Sequence, residues 1–176
     1  MDTIKETNTG NLPDFEMPEM PRPLSEHDWL QQLVGEWESE AECFMDPDGP
    51  PVKCSGRERI RALGGFWVVS EIEADMKNRP FRTLQILGFD PHKERFIGSW
   101  IDTMTSYMWR YEGTLNETGN TLILDTEGPC PMHSGKLSKF REMLELRDRD
   151  HKVYTSSILD EDGHWTTCLV ANGHRV

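Results

Sequence analysis

Residues 63–101 read LGGFWVVSEIEADMKNRPFRTLQILGFDPHKERFIGSWI. Apolar runs of strand length are separated here by Lys77-Asn78-Arg79-Pro80 and by Asp90-Pro91-His92-Lys93, two sequences that are typical of turns. In the first run, apolar or small side chains occupy every second position from Phe66 to Ala74, and acidic side chains lie between several of them. This period of two predicts antiparallel strands that bury one face and expose the other.

The same alternation of strand and turn extends from Gly35 to Ala171, so we expect about eight to ten strands joined by short loops. Short loops make neighbours in sequence neighbours in space, which gives an antiparallel meander. An open meander of this length has two exposed edges, and closure into an up-and-down barrel removes both. The sequence therefore predicts a mainly β protein with a single antiparallel barrel. A two-sheet sandwich would need longer connections than these.

The residues before the strands have a different composition. Residues 1–24 combine several prolines with acidic residues, which predicts a flexible tail. Residues 25–34 carry one apolar stripe at helical spacing, with Ser25 as the expected N-cap and Gly35 as the stop signal. We therefore expect a tail over 1–24 and one domain over 25–176, in which a short N-terminal helix leads into the barrel.

The charge of the chain argues against two classes of partner. The chain has 176 residues and a formal net charge of −12, whereas nucleic acids and anionic membranes bind clustered lysine and arginine. No apolar run is long enough for a signal peptide or a membrane span, so we expect a cytoplasmic protein. Reduced thiols are then expected at Cys43, Cys54, Cys130 and Cys168. Cys43 and Cys54 flank a turn, and the alternative is that they face each other across a hairpin.

The run Gly35-Glu36-Trp37 resembles the Gly-x-Trp signature of calycin barrels, which implies that Trp37 closes one end of the barrel. More specifically, the chain resembles domain-of-unknown-function family 1579, which implies a lipocalin-like barrel with no assigned activity. The likeness is carried by Gly35 to Trp37, Leu63 to Gly65 with Glu71, Leu87 to Asp90, and Phe96 to Met104. Relatives often have glycine where this chain has Thr83 and Gln85, which implies a smaller or differently shaped pocket here.

One group of residues on this framework indicates ligand binding. Carboxylates close to an apolar interior have raised pKa values, and a buried arginine can bind a ligand carboxylate through two hydrogen bonds. The same group could instead form structural ion pairs and strand-end hydrogen bonds, or act in acid–base catalysis. The candidate ligand-binding residues are Glu71, Trp100, Asp102, Met104 and Arg141.

Aromatic and methionine side chains could line an adaptable apolar pocket, or they could form an ordinary core. On residues 107–113 one face carries two tyrosines and Trp109, and the other carries Met108 and two charged residues. Because successive side chains of a strand point to opposite faces, only one of these faces can be interior.

No metal site and no cofactor is predicted, because the histidines are scattered and have no metal-ligand spacing. Haem is the alternative, since a single histidine can hold its iron. His133 and His164 are the candidate ligands. Nitrobindin-like haem proteins carry a Gly-x-Trp-x-Gly run, and the second glycine position is Ser39 in this chain.

Three functions follow from this framework. The first, which we favour, is a module that binds a small hydrophobic or amphipathic molecule in the barrel. The second is an enzyme that uses interior carboxylates for acid–base chemistry. The third is an interaction protein with a filled barrel and no ligand, which acts through its surface or its acidic tail. An accessible cavity separates the first two from the third.

Overall fold

The computed structural model describes residues 19–44, 49–75, 79–130 and 136–176. Most of the expected tail lies outside these ranges, so its boundary at residue 24 stays a prediction. Within the described ranges the chain forms one helix, α1 (Ser25–Gln31), and ten strands. The strands are β1 (Gly35–Cys43), β2 (Val52–Leu63), β3 (Trp67–Asp75), β4 (Pro80–Asp90), β5 (Arg95–Asp102), β6 (Trp109–Leu115), β7 (Thr121–Pro129), β8 (Leu137–Leu146), β9 (His151–Leu159) and β10 (Trp165–Arg175).

Each strand pairs antiparallel with the next, and β10 pairs with β1, so the ten strands form a closed barrel. The closing ladder places Trp37 opposite Arg175 and Cys43 opposite Leu169. A β-bulge interrupts β10 between Thr167 and Leu169. The predicted fold, a mainly β up-and-down barrel with one short N-terminal helix, is confirmed.

Helix α1 covers one end of the barrel, which we call the closed end. Leu30 and Leu33 are 0% and 1% exposed there, and both belong to the main apolar core. The Trp29 indole Nε1 donates a hydrogen bond of 2.8 Å to the Gly119 carbonyl in the β6–β7 turn. Among the described residues, no helix is long and apolar enough to cross a membrane.

The ends of α1 differ from the prediction. Leu24, rather than Ser25, is the N-cap, and the helix stops at Gln31 instead of continuing towards Gly35. The Nδ1 of His27, the third residue of the helix, accepts the Leu24 amide at 2.9 Å, which is the bond that a Glu or Gln makes in a capping box and differs from the one expected of a Ser25 hydroxyl. The imidazole is buried beneath the helix, which keeps it within reach of this amide.

Trp37 lies just inside the closed end and is 1% exposed. The Lys152 Nζ lies 4.6 Å from the ring centroid, and the Arg175 guanidinium carbon lies 4.2 Å from it, so two cations contact the indole. Arg175 also donates hydrogen bonds to two carbonyls between α1 and β1. A side chain at Gly35 would collide with the Arg175 guanidinium, which explains the glycine before the tryptophan. Trp37 is thus buried next to the segment that joins α1 to β1, and its role as a barrel-closing residue stays a prediction.

The other end carries no helix among the described residues, and we call it the open end. Small inward side chains on β10, β1, β2 and β3 form one side of the interior, the small wall: Ser39, Ala41, Cys54, Gly56, Ala74 and Ala171. Large inward rings on β5, β6 and β8 form another side, the aromatic wall: Trp100, Trp109, Tyr111 and Phe140. Trp100 and Trp109 remain half-buried although they point inward, so solvent reaches the interior beside the aromatic wall.

Candidate functional site

Two of the residues expected at a site, Trp100 and Asp102, lie on the inward face of β5 at the open end. The Trp100 indole Nε1 donates to Asp102 Oδ2 at 3.1 Å. Asp102 Oδ1 accepts the backbone amides of Met104 and Thr105 at 2.7 and 2.9 Å. Asp102 therefore orders the turn after β5 and fixes the Trp100 ring. Met104 follows in that turn with 67% of its surface exposed, outside the barrel interior.

The interior placement expected for Glu71 and Arg141 is wrong. Glu71 is exposed on the outer face of β3, where its carboxylate lies 3.4 Å from Arg61. Arg141 points outward from β8 and contacts Asp125 at 2.9 Å. The strand period of two explains both positions, because the neighbours of an inward residue must point outward. The expected cluster is thus divided between the two sides of the sheet.

Glu142, the residue after Arg141, faces the interior and is only 6% exposed. The Ser156 hydroxyl donates to its Oε1 at 3.1 Å, while its Oε2 has no hydrogen-bond partner in the part of the chain that the structure describes. The hydroxyls of Tyr154 and Ser156 lower the pKa of the carboxyl, but burial outweighs them and raises it to about 7. The carboxyl therefore exchanges its proton near neutral pH.

The surroundings of Glu142 are polar but uncharged. Burial and the nearby Glu142 carboxylate raise the pKa values of the Tyr154 and Tyr111 hydroxyls well above the ordinary value, so both stay protonated. Gln85 and Tyr154 both interact with the Tyr111 hydroxyl. We call this set the Glu142 cluster: Gln85, Tyr111, Glu142, Tyr154 and Ser156. The position of Gln85 in it agrees with the expectation that this side chain reaches the interior.

The raised pKa of Glu142 should make the protein less stable as the pH rises. Its pKa is about 7 in the folded chain against 4.5 for an ordinary carboxyl, so between these values the folded state holds the extra proton. The unfolding free energy should therefore fall between pH 4.5 and 7, in total by about 3 kcal/mol. The Glu142→Gln variant, which has nothing to ionise, should lose this slope and be the more stable protein at pH 8. Urea unfolding from pH 4.5 to 8 measures both quantities, and parallel curves for the two proteins would contradict the expectation.

A second ionic group lies deeper in the barrel. The Lys152 Nζ lies 2.5 Å from Glu58 Oε2, and the two side chains are 6% and 13% exposed. The Ser70 hydroxyl donates to the other Glu58 oxygen at 2.5 Å. This pair crosses the interior from β2 to β9 beside Trp37, and each charge has its counter-charge within contact distance.

Cys43, Cys54 and Cys168 are thiols near the small wall. Cys43 lies opposite Val52 and Cys54 opposite Ala41, so the two cysteines are diagonal neighbours and not the facing pair that a symmetric hairpin would give. Burial, followed by the nearby Cys54, raises the pKa of Cys43 to about 11. The Cys168 Sγ contacts the Ser156 carbonyl at 3.3 Å, which places this thiol beside the Glu142 cluster.

The remaining sequence candidates lie away from this interior. Met108 is 53% exposed, so Trp109 and Tyr111 form the inward face of their strand. The His164 side chain is 79% exposed in the β9–β10 turn, 3.7 Å from Asp160, and His133 lies outside the described residues. In the described part of the chain, no three histidine, cysteine or acidic side chains are grouped so that they could hold a metal ion.

A groove of about 690 Å³ lies on the outer surface of β1 to β4 and β10. Four of its charged side chains form two ion pairs, with contacts of 3.0 Å between Arg57 and Glu38 and of 3.3 Å between Arg82 and Glu73. The other two acidic side chains, Glu40 and Asp75, are exposed to solvent, where an ion pair with a ligand contributes little. The interior, with its incompletely bonded carboxyl, is the better candidate.

The chain is similar to a known family in sequence and to solved structures in fold. The sequence profile of a family described as "Protein of unknown function (DUF1579)" matches residues 22–175. No curated protein matches the chain in sequence. The S-type phycobiliprotein lyase CPES from Guillardia theta is similar in structure, with 14% identity and a TM-score of 0.57 over 85% of this chain and 91% of that one. Rv2717c from M. tuberculosis is also similar, with 13% identity and a TM-score of 0.61 over 88% of this chain and 99% of that one. At these identities the likeness shows a shared lipocalin-like barrel fold.

Proposed function

The chain belongs to the DUF1579 family of proteins of unknown function, and we propose that the open end of its barrel binds one small amphipathic molecule. The observation that carries this proposal is Glu142, a buried carboxyl with one oxygen that accepts no hydrogen bond from the described residues. A buried polar group without a partner costs free energy, and a bound molecule that supplies the partner offsets that cost. The Oγ1 atoms of Thr83 and Thr126 are likewise buried without partners.

The interior also offers apolar surface for the rest of the molecule. Trp100, Trp109 and Tyr154 point inward and are half-buried, so part of each ring is available for contact. The residues of the small wall are alanine, glycine, serine and cysteine, whose small volume fills little of the interior of a ten-strand barrel. Barrels of eight strands already hold one small ligand, and ten strands enclose more space. Apolar walls with a few convergent polar groups are typical of small-molecule sites.

Filling the interior should abolish binding of an uncharged amphipathic probe. N-phenyl-1-naphthylamine, which fluoresces strongly in apolar surroundings, serves as the probe. Ala171 lies in the small wall opposite Tyr154 on the neighbouring strand, so Ala171→Phe places a ring in the proposed site. We expect this variant to bind the probe at least about tenfold more weakly than the unaltered protein, because it fills the space that the probe needs.

The matched control is Thr114→Phe, which adds the same ring to an exposed outer position on β6. This variant should bind the probe as the unaltered protein does. Equal binding by the Ala171→Phe variant, or no fluorescence increase with the unaltered protein, would rule out the interior site. Thermal unfolding of both variants establishes that they are folded at the assay temperature.

A further inference from the structure

The interior carboxyl groups differ in how completely they are bonded. Among the described residues, three acidic side chains face the interior, and two of them are fully engaged. Glu58 has Lys152 at 2.5 Å and the Ser70 hydroxyl, and Asp102 accepts one indole and two backbone N–H groups. Glu142 accepts the Ser156 hydroxyl at 3.1 Å on Oε1 and lies close to the Tyr154 hydroxyl, but its Oε2 has no hydrogen-bond partner. It is thus the interior acid with room for a further hydrogen-bond donor.

No lysine or arginine side chain of the described residues forms an ion pair with Glu142. Three titratable side chains interact electrostatically with Glu142: Tyr111 from β6, Tyr154 from β9 and Cys168 from β10. Each of them forms an anion when it ionises. Asp102 from β5 adds a further negative charge near Tyr111. The neighbouring strands β7 and β9 contribute the Thr126 and Ser156 hydroxyls, which are neutral. The interior lysine, Lys152, is held by Glu58.

We propose that the bound molecule has a positively charged nitrogen at its polar end, an ammonium or amidinium group, and that this group donates a hydrogen bond to Glu142 Oε2. The proposal rests on the proposed function, since it concerns the ligand of the same site. A carboxylate ligand would bring a second negative charge to Glu142 with no cation to neutralise either one, which is strongly unfavourable away from water. An ammonium group completes the hydrogen bonding of the carboxylate and neutralises its charge.

The aromatic rings that face the interior favour the same ligand charge. The faces of tryptophan and tyrosine rings attract cations, and Trp100, Trp109 and Tyr154 are partly accessible from the interior. The barrel already uses this contact at the closed end, where Lys152 lies against Trp37. An alkyl chain attached to the ammonium group can then pack along the same rings, so one molecule satisfies both the polar and the apolar lining.

Binding of such a cation should strengthen as the pH rises. Only the ionised carboxylate pairs with ammonium, and the pKa of Glu142 is about 7, so most of the carboxyl is protonated at pH 6 and most is ionised at pH 8. Alkylammonium groups stay charged over this range, as lysine does. We expect the affinity for an alkylammonium ion to be about tenfold lower at pH 6 than at pH 8.

Three probes that share a ten-carbon chain and differ in the charge of their polar group test which charge the site prefers. They are decylammonium, 1-decanol and decanoate, each titrated calorimetrically below its critical micelle concentration at pH 8. We expect decylammonium to bind at least about tenfold more tightly than decanoate, with decanol between them. Glu142→Gln should remove the advantage of decylammonium. Glu127→Gln is the matched control, because it makes the same change of charge at an exposed position on β7 and should leave the order unchanged.

The outcomes distinguish the two proposals. If none of the three probes binds, the interior site itself is refuted, and the cationic ligand with it. If all three bind equally, or decanoate binds best, the barrel is a binding site and the cationic ligand is refuted. If the affinities for the three probes have the same order in the Glu142→Gln variant, this carboxyl does not determine the preference for the cationic probe. Should this variant fail to fold, the order of the probes and the pH dependence of decylammonium binding in the unaltered protein decide the question.

Discussion

The Lys152→Met variant is expected to lose about 3–5 kcal/mol of unfolding free energy. Methionine fills most of the space of the lysine side chain, so the loss arises from charge and not from a cavity. Glu58, whose side chain is 13% exposed, keeps its negative charge and loses the counter-ion at 2.5 Å. A buried charge without a partner is among the most destabilising groups in a protein. Urea unfolding at pH 7.5 measures the loss.

The other charge of the pair provides the decisive comparison. In the double variant Glu58→Gln/Lys152→Met no buried charge remains, and the new amide still accepts the Ser70 hydroxyl, so most of the lost stability should return. Lys53→Met removes an ion pair whose lysine is 78% exposed and should cost less than about 1 kcal/mol. A loss of similar size in the Lys53 and Lys152 variants would show that the buried pair is not important for stability.

Trp37→Ala is expected to cost about 3–5 kcal/mol as well, for a different reason. The indole is 1% exposed, and its removal leaves a cavity beneath α1 that the rigid barrel cannot close. The variant also loses the hydrogen bond of 2.9 Å from the indole to the Leu33 carbonyl and the contacts with Lys152 and Arg175. Chemical unfolding together with near-ultraviolet circular dichroism measures the loss of stability and the loosening of the closed end.

Trp165→Ala is the matched control for Trp37→Ala. Trp165 is also on a strand and stacks on an arginine, Arg141, but it is 38% exposed at the open end. Its removal exposes little apolar surface and creates no enclosed cavity, so we expect a loss of about 1 kcal/mol or less. Comparable losses in the two variants would contradict the view that Trp37 holds the closed end together.

The fold could be predicted from the sequence because half-buried strands have a local signature. On β3 the alternation of apolar and acidic residues depends only on which face is buried, and the short turns leave few ways to arrange the strands. The start of α1 could not be predicted in the same way. Ser25 is a good N-cap by residue type, but Leu24 is the N-cap, and its amide is bonded by His27, whose position depends on packing beneath the helix against Phe66 and Phe89.

The site was predicted less well, and the reason differs from residue to residue. The alternation that places Ser70 and Ile72 inside already places Glu71 outside, so the pattern of β3 itself contradicts an interior position for Glu71. The pattern Phe140-x-Glu142-x-Leu144 likewise indicates that Glu142, and not its neighbour Arg141, faces the interior. The Glu58–Lys152 pair had no local signal, because the two residues are 94 positions apart and meet only when the barrel closes.

Because β1 and β10 close the barrel, the edge of β1 stays unpaired while the chain is being synthesised. The closing ladder joins residues 37–43 to residues 169–175, so β1 lacks this partner until β10 has left the ribosome. During synthesis the unpaired edge of β1 could pair with the same strand of another nascent chain and start aggregation. The outward face of this strand carries glutamate at every second position from 36 to 42. Until Lys53, Arg57 and Arg59 of β2 pair with three of these glutamates, two such strands side by side would repel each other, which disfavours pairing between newly made chains.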